Sequence, residues 1–239
     1  KKFNLILASL FLLSSIAINA QKELTQGMVK MEVTEVNSDN PQIAAQMEMF
    51  KGTQTEYYFS DEKSLVNANM MGGMMKMQTL TNNADEHVTM LFEAMGQKMM
   101  IESTKEERAE MEAGQSEMAD AADIIYDKND TKEILGYKCY KATVKMDADP
   151  NMQMEFSMYI TPELKASNKM IQGLQAYELE GFPLELVLNT DQMSLTTSAV
   201  DLKKEIDKSV FDLNTSGYTK MSFEEFQQSM GGMGGGMGF

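Results

Sequence analysis

The side chains that could do unusual chemistry are concentrated in one place. Met70-Met71-Gly72-Gly73-Met74-Met75-Lys76-Met77 sets five thioethers within eight residues. Thioethers are soft ligands that favour Cu(I), and a glycine pair lets a loop wrap an ion, so Met70, Met71, Met74, Met75 and Met77 are a candidate soft-metal site. The same unbranched, polarizable side chains equally suit an adaptable apolar surface for hydrophobic ligands. Where exposed, they are open to oxidation to the sulfoxide. Met95, Met99 and Met100 lie around a second predicted turn. The chain holds 25 methionines in 239 residues, about twice the roughly 12 of equal usage, so this surplus is its one unusual chemical feature.

Harder chemistry is poorly represented. A nucleophilic triad needs a base beside its nucleophile; His87 is the only imidazole, and no G-x-S-x-G motif occurs. Cys139, the single cysteine, has no partner for an internal disulfide and no motif around it. Zinc sites of the usual kind need several Cys or His. Two acidic stretches imitate calcium loops and fail at fixed positions. In the stretch from Asp147, Met152 and Met158 replace the turn glycine and the bidentate glutamate; in the stretch from Asp127, Lys132 and Lys138 do so. No catalytic residue and no cofactor are expected, and the chain reads as a non-enzyme.

Charge narrows the partners. With 36 acidic against 21 basic side chains the net charge is -15, which argues against nucleic acid, and an anionic membrane surface is expected to repel the protein for the same reason. Lys1 and Lys2 precede an apolar run, Leu5 to Ile18, that closes on Ile18-Asn19-Ala20, the pattern of a secretory signal peptide over residues 1–20. The run is shorter than the roughly 20 apolar residues that span a bilayer. An extracytoplasmic location, periplasmic or secreted, and no transmembrane anchor in the mature protein are therefore expected.

The elements that must position these residues read mainly as strands. Val29, Met31 and Val33 alternate with polar neighbours, and Asn40-Pro41 starts a short helix. Residues 53–60 and 64–69 form one predicted hairpin; Val88, Met90 and Phe92 turn through Gly96-Gln97 into Met99–Glu102 as another. Residues 105–123 are an acidic helical or mobile insertion. Tyr140, Ala142, Val144 and Met146 share one face of a strand, and Met152, Met154, Phe156, Met158 and Ile160 share one face of the next. A helix is expected at 168–179, with Ile171, Leu174 and Tyr177 on one side, followed by a strand carrying Leu184, Leu186 and Leu188 and another carrying Met193 and Leu195. Met152, Met154, Phe156, Met158, Ile160, Leu184, Leu186 and Leu188 are the candidate lining of an apolar site. The Met70–Met77 stretch is expected to have no sheet to line, and the glycine-rich tail, 227–239, is expected to be disordered. One antiparallel domain over 21–226 results.

Ile134-Leu135-Gly136-Tyr137-Lys138-Cys139, Met-Tyr-Ile-Thr-Pro at 158–162, Gly181-Phe182-Pro183-Leu184, and Ile206-Asp207-Lys208-Ser209-Val210-Phe211 before Gly217-Tyr218 resemble the domain of unknown function family 4412, uncharacterised secreted proteins of Bacteroidota. The ending is also similar to the lipoprotein-carrier (LolA-like) superfamily. That resemblance implies a strongly curved antiparallel half-barrel whose concave apolar side is covered by helices and accepts acyl chains. A hydrophobic or lipid-like small molecule is the ligand it implies, and no catalytic residue carries over.

Overall fold

The computed structural model describes residues 23–108, 123–149, 152–222 and 224–226. The expected signal segment, most of the acidic insertion and the glycine-rich tail lie outside them. Period-two alternation dominates the rest. Six strands run as a meander: β1 (Gly27–Asn37), β2 (Gln54–Phe59), β3 (Lys63–Met70), β4 (Met75–Asn82), β5 (Val88–Ala94) and β6 (Gln97–Ser103). Five more form a second meander: β7 (Ile124–Ile134), β8 (Tyr137–Asp149), β9 (Met152–Thr161), β10 (Phe182–Thr190) and β11 (Ser194–Lys203). A short β12 (Thr219–Met221) pairs in parallel with β6. The sheet order is β12-β6-β5-β4-β3-β2-β1-β11-β10-β9-β8-β7. The fold is thus mainly β: one unclosed, curved, almost wholly antiparallel sheet of 12 strands with few helices.

The two meanders join where β1 lies antiparallel to β11, from Met28 opposite Lys203 to Asn37 opposite Ser194. Register shifts at Lys30/Met31 and Val33/Glu35 break this ladder, and bulges of this kind bend and twist a strand. The result is visible in the core. Tyr57 on β2 and Phe182 on β10 have ring centroids 6.0 Å apart, although three strand spacings, about 14 Å, separate those strands in a flat sheet. Val29, Met31, Tyr57 and Phe59 therefore share one buried cluster with Ala142, Val144, Phe156, Met158 and Ile160.

A strap, residues 164–181, covers this cluster, and it is not the helix that the spacing of Ile171, Leu174 and Tyr177 predicts. A short 3-10 segment, Asn168–Met170, leads into repeated tight turns. Ile171, Leu174 and Tyr177 donate their backbone N–H to the carbonyls of Asn168, Ile171 and Leu174 at 2.9, 3.0 and 3.2 Å. A spacing of three suits i→i+3 turns, which place all three side chains on one side. The Asn168 side-chain amide holds the arrangement by donating to the Leu174 and Tyr177 carbonyls at 2.9 and 2.8 Å. Gly173, at φ +83°, adopts a left-handed conformation that interrupts an α-helix, and a Cβ there would sit 2.9 Å from the Phe156 ring. Ile171, Leu174 and Tyr177 are all buried, each contributing about 1.5–3 kcal/mol of transfer free energy. Pro162 and Glu163 likewise start no helix: Leu164 makes an isolated parallel bridge to Leu24.

The remaining elements close smaller surfaces. In the first meander the face opposite the strap also buries side chains, namely Met28, Leu65 and Leu91. The 3-10 turn Lys208–Phe211, capped by the Asp207 carboxylate accepting from Ser209 N–H at 3.0 Å, lies against β3 and buries Phe211. Helix α1 (Pro41–Met47) starts as expected, with the Asn40 side chain accepting from Gln42 N–H, but buries none of its residues. Three strands that the sequence pattern does not predict are β4, β7 and β12. At β7 the register against β8 slips between Asp127 and Thr131, where the Asp127 carboxylate accepts from the N–H groups of Asn129 and Asp130.

Leu174→Ala is expected to lower unfolding free energy by about 2–5 kcal/mol, the range for truncating a fully buried leucine. Met95→Ala, on an exposed turn, should stay within about 0.5 kcal/mol. Urea denaturation followed by far-UV circular dichroism measures both.

Candidate functional site

Most of the expected apolar lining is brought together. Leu186 lies opposite Met158, Leu188 opposite Phe156, Thr190 opposite Met154 and Pro183 opposite Ile160 across the β9–β10 ladder, while Leu184 sits at a register shift beside Pro183. Residues paired across a ladder share a face, so these side chains form one apolar surface. Burial divides it. Met158, Ile160 and Leu184 are 0% exposed and Phe156 is 5%; with no surface open to water, the first three adjoin no water-sized space and act as core beneath the strap. Met154, Leu186 and Leu188 pack against the same core yet stay half-buried. Leu195, opposite Leu188 on β11, is also half-buried. Met152 opens β9 at this end. The strap's contact with Phe156 through Gly173 marks the boundary. On one side the concave face is filled; on the other, an apolar strip remains open.

A latch that the sequence reading missed holds the strap's far end. Glu180 N–H donates to the Tyr126 hydroxyl at 3.2 Å, and the Glu180 carboxylate accepts from the Tyr140 hydroxyl at 2.9 Å and pairs with Lys128 at 2.8 Å. The two tyrosine rings meet edge to face at 6.2 Å. Hydrogen bonds from Lys128 and then Tyr140 hold the Glu180 carboxyl below its ordinary value of 4.5. Burial, followed by the Glu180 hydrogen bond, pushes the Tyr140 hydroxyl well above its usual 10.0. Tyr126 and Tyr140 stand in alternating strands, but nothing local in the sequence links them to Glu180, 54 and 40 residues away.

The methionine stretch is a hairpin, which corrects the expectation that it has no sheet to line. Met70 ends β3, Met71–Gly73 make the turn, and Met75 and Met77 belong to β4, opposite Met70 and Ala68. Met75 and Met77 pack with Phe92, Ala94 and Met99 in a satellite core, on which Phe226 rests edge to face against Phe92 at 5.6 Å. Met70 and Met71 are half-buried, and Met74 is 67% exposed. The five thioethers are therefore divided between a small core and a turn. Among the described residues no group of three or more His, Cys, Asp or Glu is placed to hold a metal ion.

His87 sits in the β4–β5 turn, its N–H donating to the Asp85 carboxylate at 3.0 Å. Cys139 is fully buried, and its thiol is pushed up to about 12, chiefly by burial and then by the carboxylates of Glu163 and Glu185. One Glu163 oxygen is itself buried without a hydrogen-bond partner.

No family model matches the chain, so the resemblance to family 4412 gains no support there. No curated protein matches either. Among solved structures, PNGF-II is similar over 86% of this chain and 33% of its own, with a TM-score of 0.51 and 15% identity. The chain spans about a third of that protein's length, and the likeness is one of fold. A putative outer membrane lipoprotein-sorting protein domain from Vibrio parahaemolyticus aligns over 79% of this chain and 90% of its own at 6% identity, but its TM-score of 0.21 gives that alignment no weight. No helix of the described residues is long and apolar enough to cross a membrane.

Two measurements follow. Cys139 should resist a thiol reagent at pH 8 in the native protein and react at once in urea, because a thiol raised to about 12 holds almost no thiolate at that pH. The latch should weaken in acid: a carboxyl lowered in the folded state contributes above its unfolded value and loses that contribution as pH falls from 4.5 through the folded value. The near-UV circular dichroism of the tyrosines should change over that interval, and Glu180→Gln should flatten the change.

Proposed function

We propose that this chain is a non-enzymatic, extracytoplasmic binding module for a hydrophobic or lipid-like ligand. The observation that supports it is the uncovered apolar strip formed by Met154, Leu186, Leu188 and Leu195 on the same face as the filled core. Apolar surface that continues a core without a cover is where a hydrophobic ligand gains most by leaving water. Unbranched methionines let such a surface adapt to chains of different length. The resemblance to lipoprotein carriers points the same way, and the N-terminal apolar segment supports export.

The ligand lies along the strip with Phe156 and the strap at its inner end. Its affinity comes from area: each methylene removed from water contributes about 0.8 kcal/mol. Lipid extraction and mass spectrometry of protein purified from its own host should recover an acyl-chain compound. A fluorescent fatty acid should bind in solution, and Leu188→Gln should weaken it about tenfold, the equivalent of about 1.4 kcal/mol. Protein that is repeatedly free of lipid and has no affinity for the probe refutes the assignment.

A further inference from the structure

The antiparallel register sorts the turns of the sheet into two rims. One rim carries the β1–β2 connection with α1 and the β3–β4, β5–β6, β8–β9 and β10–β11 connections, because Asn37, Met70, Ala94, Asp149 and Thr190 all end strands at that side. The strap leaves β9 and enters β10 at the other rim, where Phe182 faces Thr161. Methionines occupy four of these five connections: Met47 and Met49 between β1 and β2, Met71 and Met74 between β3 and β4, Met95 between β5 and β6, and Met193 between β10 and β11. Of the six large apolar residues most exposed in the described chain, Met49 at 50%, Met74 at 67% and Met95 at 88% all lie here. The opposite rim presents Asp61-Glu62 and Asp85-Glu86, all exposed, with Leu135 its one comparably exposed apolar side chain. Helix α1 adds Ile43 and Met47, half-buried four residues apart, with no buried residue among its seven.

Charge distinguishes two of these turns from the others on this rim, where Asp39, Glu48 and Asp191 are exposed. A shallow cleft of about 200 Å³ runs between the β3–β4 and β5–β6 tips, lined by Met74, Met95, Lys76, Lys98 and Glu93. Lys98 pairs with Glu93 at 3.3 Å, so Lys76 gives the cleft one cation in excess in a chain whose net charge is -15. Met75 pairs with Ala94, so Met74 and Met95 stand on neighbouring strand ends and form one small apolar tip. Two side chains fall far short of the roughly 800 Å² per partner of a stable protein interface, whereas a bilayer accepts a small apolar tip between its headgroups while flanking lysines meet the phosphates.

We propose that this methionine rim, through the tips bearing Met74 and Met95, docks on a phospholipid surface with anionic headgroups, setting the open end of the concave face against the source of its ligand. This rests on the hydrophobic-ligand assignment. It also refines the charge argument: the acidic body is repelled, and only the lysine-flanked tips approach.

Sedimentation with vesicles of phosphatidylcholine containing one third phosphatidylglycerol tests it, comparing full chains that differ only at the tips. The unaltered chain should bind these vesicles more strongly than pure phosphatidylcholine ones. Met74→Ser with Met95→Ser should lower partitioning about tenfold, and Lys76→Gln with Lys98→Gln should remove its salt dependence. Equal partitioning of the chain and the double methionine variant overturns the proposal. So does a change confined to oligomeric state, which would make the rim a contact between copies. Titration of the fluorescent fatty acid in solution separates the two ideas: probe binding without vesicle binding refutes the rim alone, and loss of both refutes the ligand assignment as well.

Discussion

The antiparallel pairing of β1 with β11 is the contact on which the rest of the structure depends. It joins residues about 170 positions apart, so two meanders that each form from neighbouring segments become one sheet only when this ladder closes. Its two register shifts bend the sheet at the junction, and the bend brings Tyr57 to Phe182. Without that curl the strap would cover half a sheet. With it, Ile171, Leu174 and Tyr177 fill a trough walled by both meanders.

The strap's length and chemistry then determine what is left uncovered. It buries Leu164, Ile171, Leu174 and Tyr177, with Met170 and Leu179 packed beside them, and its tight turns rise about 2 Å per residue at most. The filled part of the trough ends near Phe156, where Gly173 lets the backbone approach the ring. Beyond that point β9, β10 and β11 continue with the same alternation but without a cover. The apolar strip is thus a consequence of strands that outrun their lid, and the latch at Glu180 keeps the lid from sliding further along them.

Much of this was legible in the sequence because alternation is a local signal. β1, the β2–β3 and β5–β6 hairpins, and β8 to β11 follow from residues read two apart. The strap differs from the helix its spacing predicts for a physical reason: Ile171, Leu174 and Tyr177 are spaced by three, which a helix tolerates but repeated i→i+3 turns fit better, and Gly173 and Asn168 decide between them. The methionine hairpin was hidden by Gly72 and Gly73, which suggested a loop; the paired Met70 and Met75 on either side mark it as a turn between strands. The division of the apolar face into filled and open parts depends on which residues the strap reaches. The Glu180 latch and the rims depend on strand order. Neither kind of information is carried by any one segment.

An open sheet has two free margins, and each offers unpaired backbone groups to any other extended chain. On one margin β12 supplies three residues of parallel pairing to β6, and Phe226, just beyond it, is seated on Phe92. On the other, the slip at Asp127–Thr131 interrupts the regular ladder of β7 and places Lys128, Asn129 and Asp130 where a neighbour would have to pair. Curvature that stops short of closure leaves room for a ligand to enter, but it also leaves a surface on which chains can polymerise. The short parallel strand and the charged bulge at these margins oppose strand-to-strand fibre growth, so the sheet can stay open.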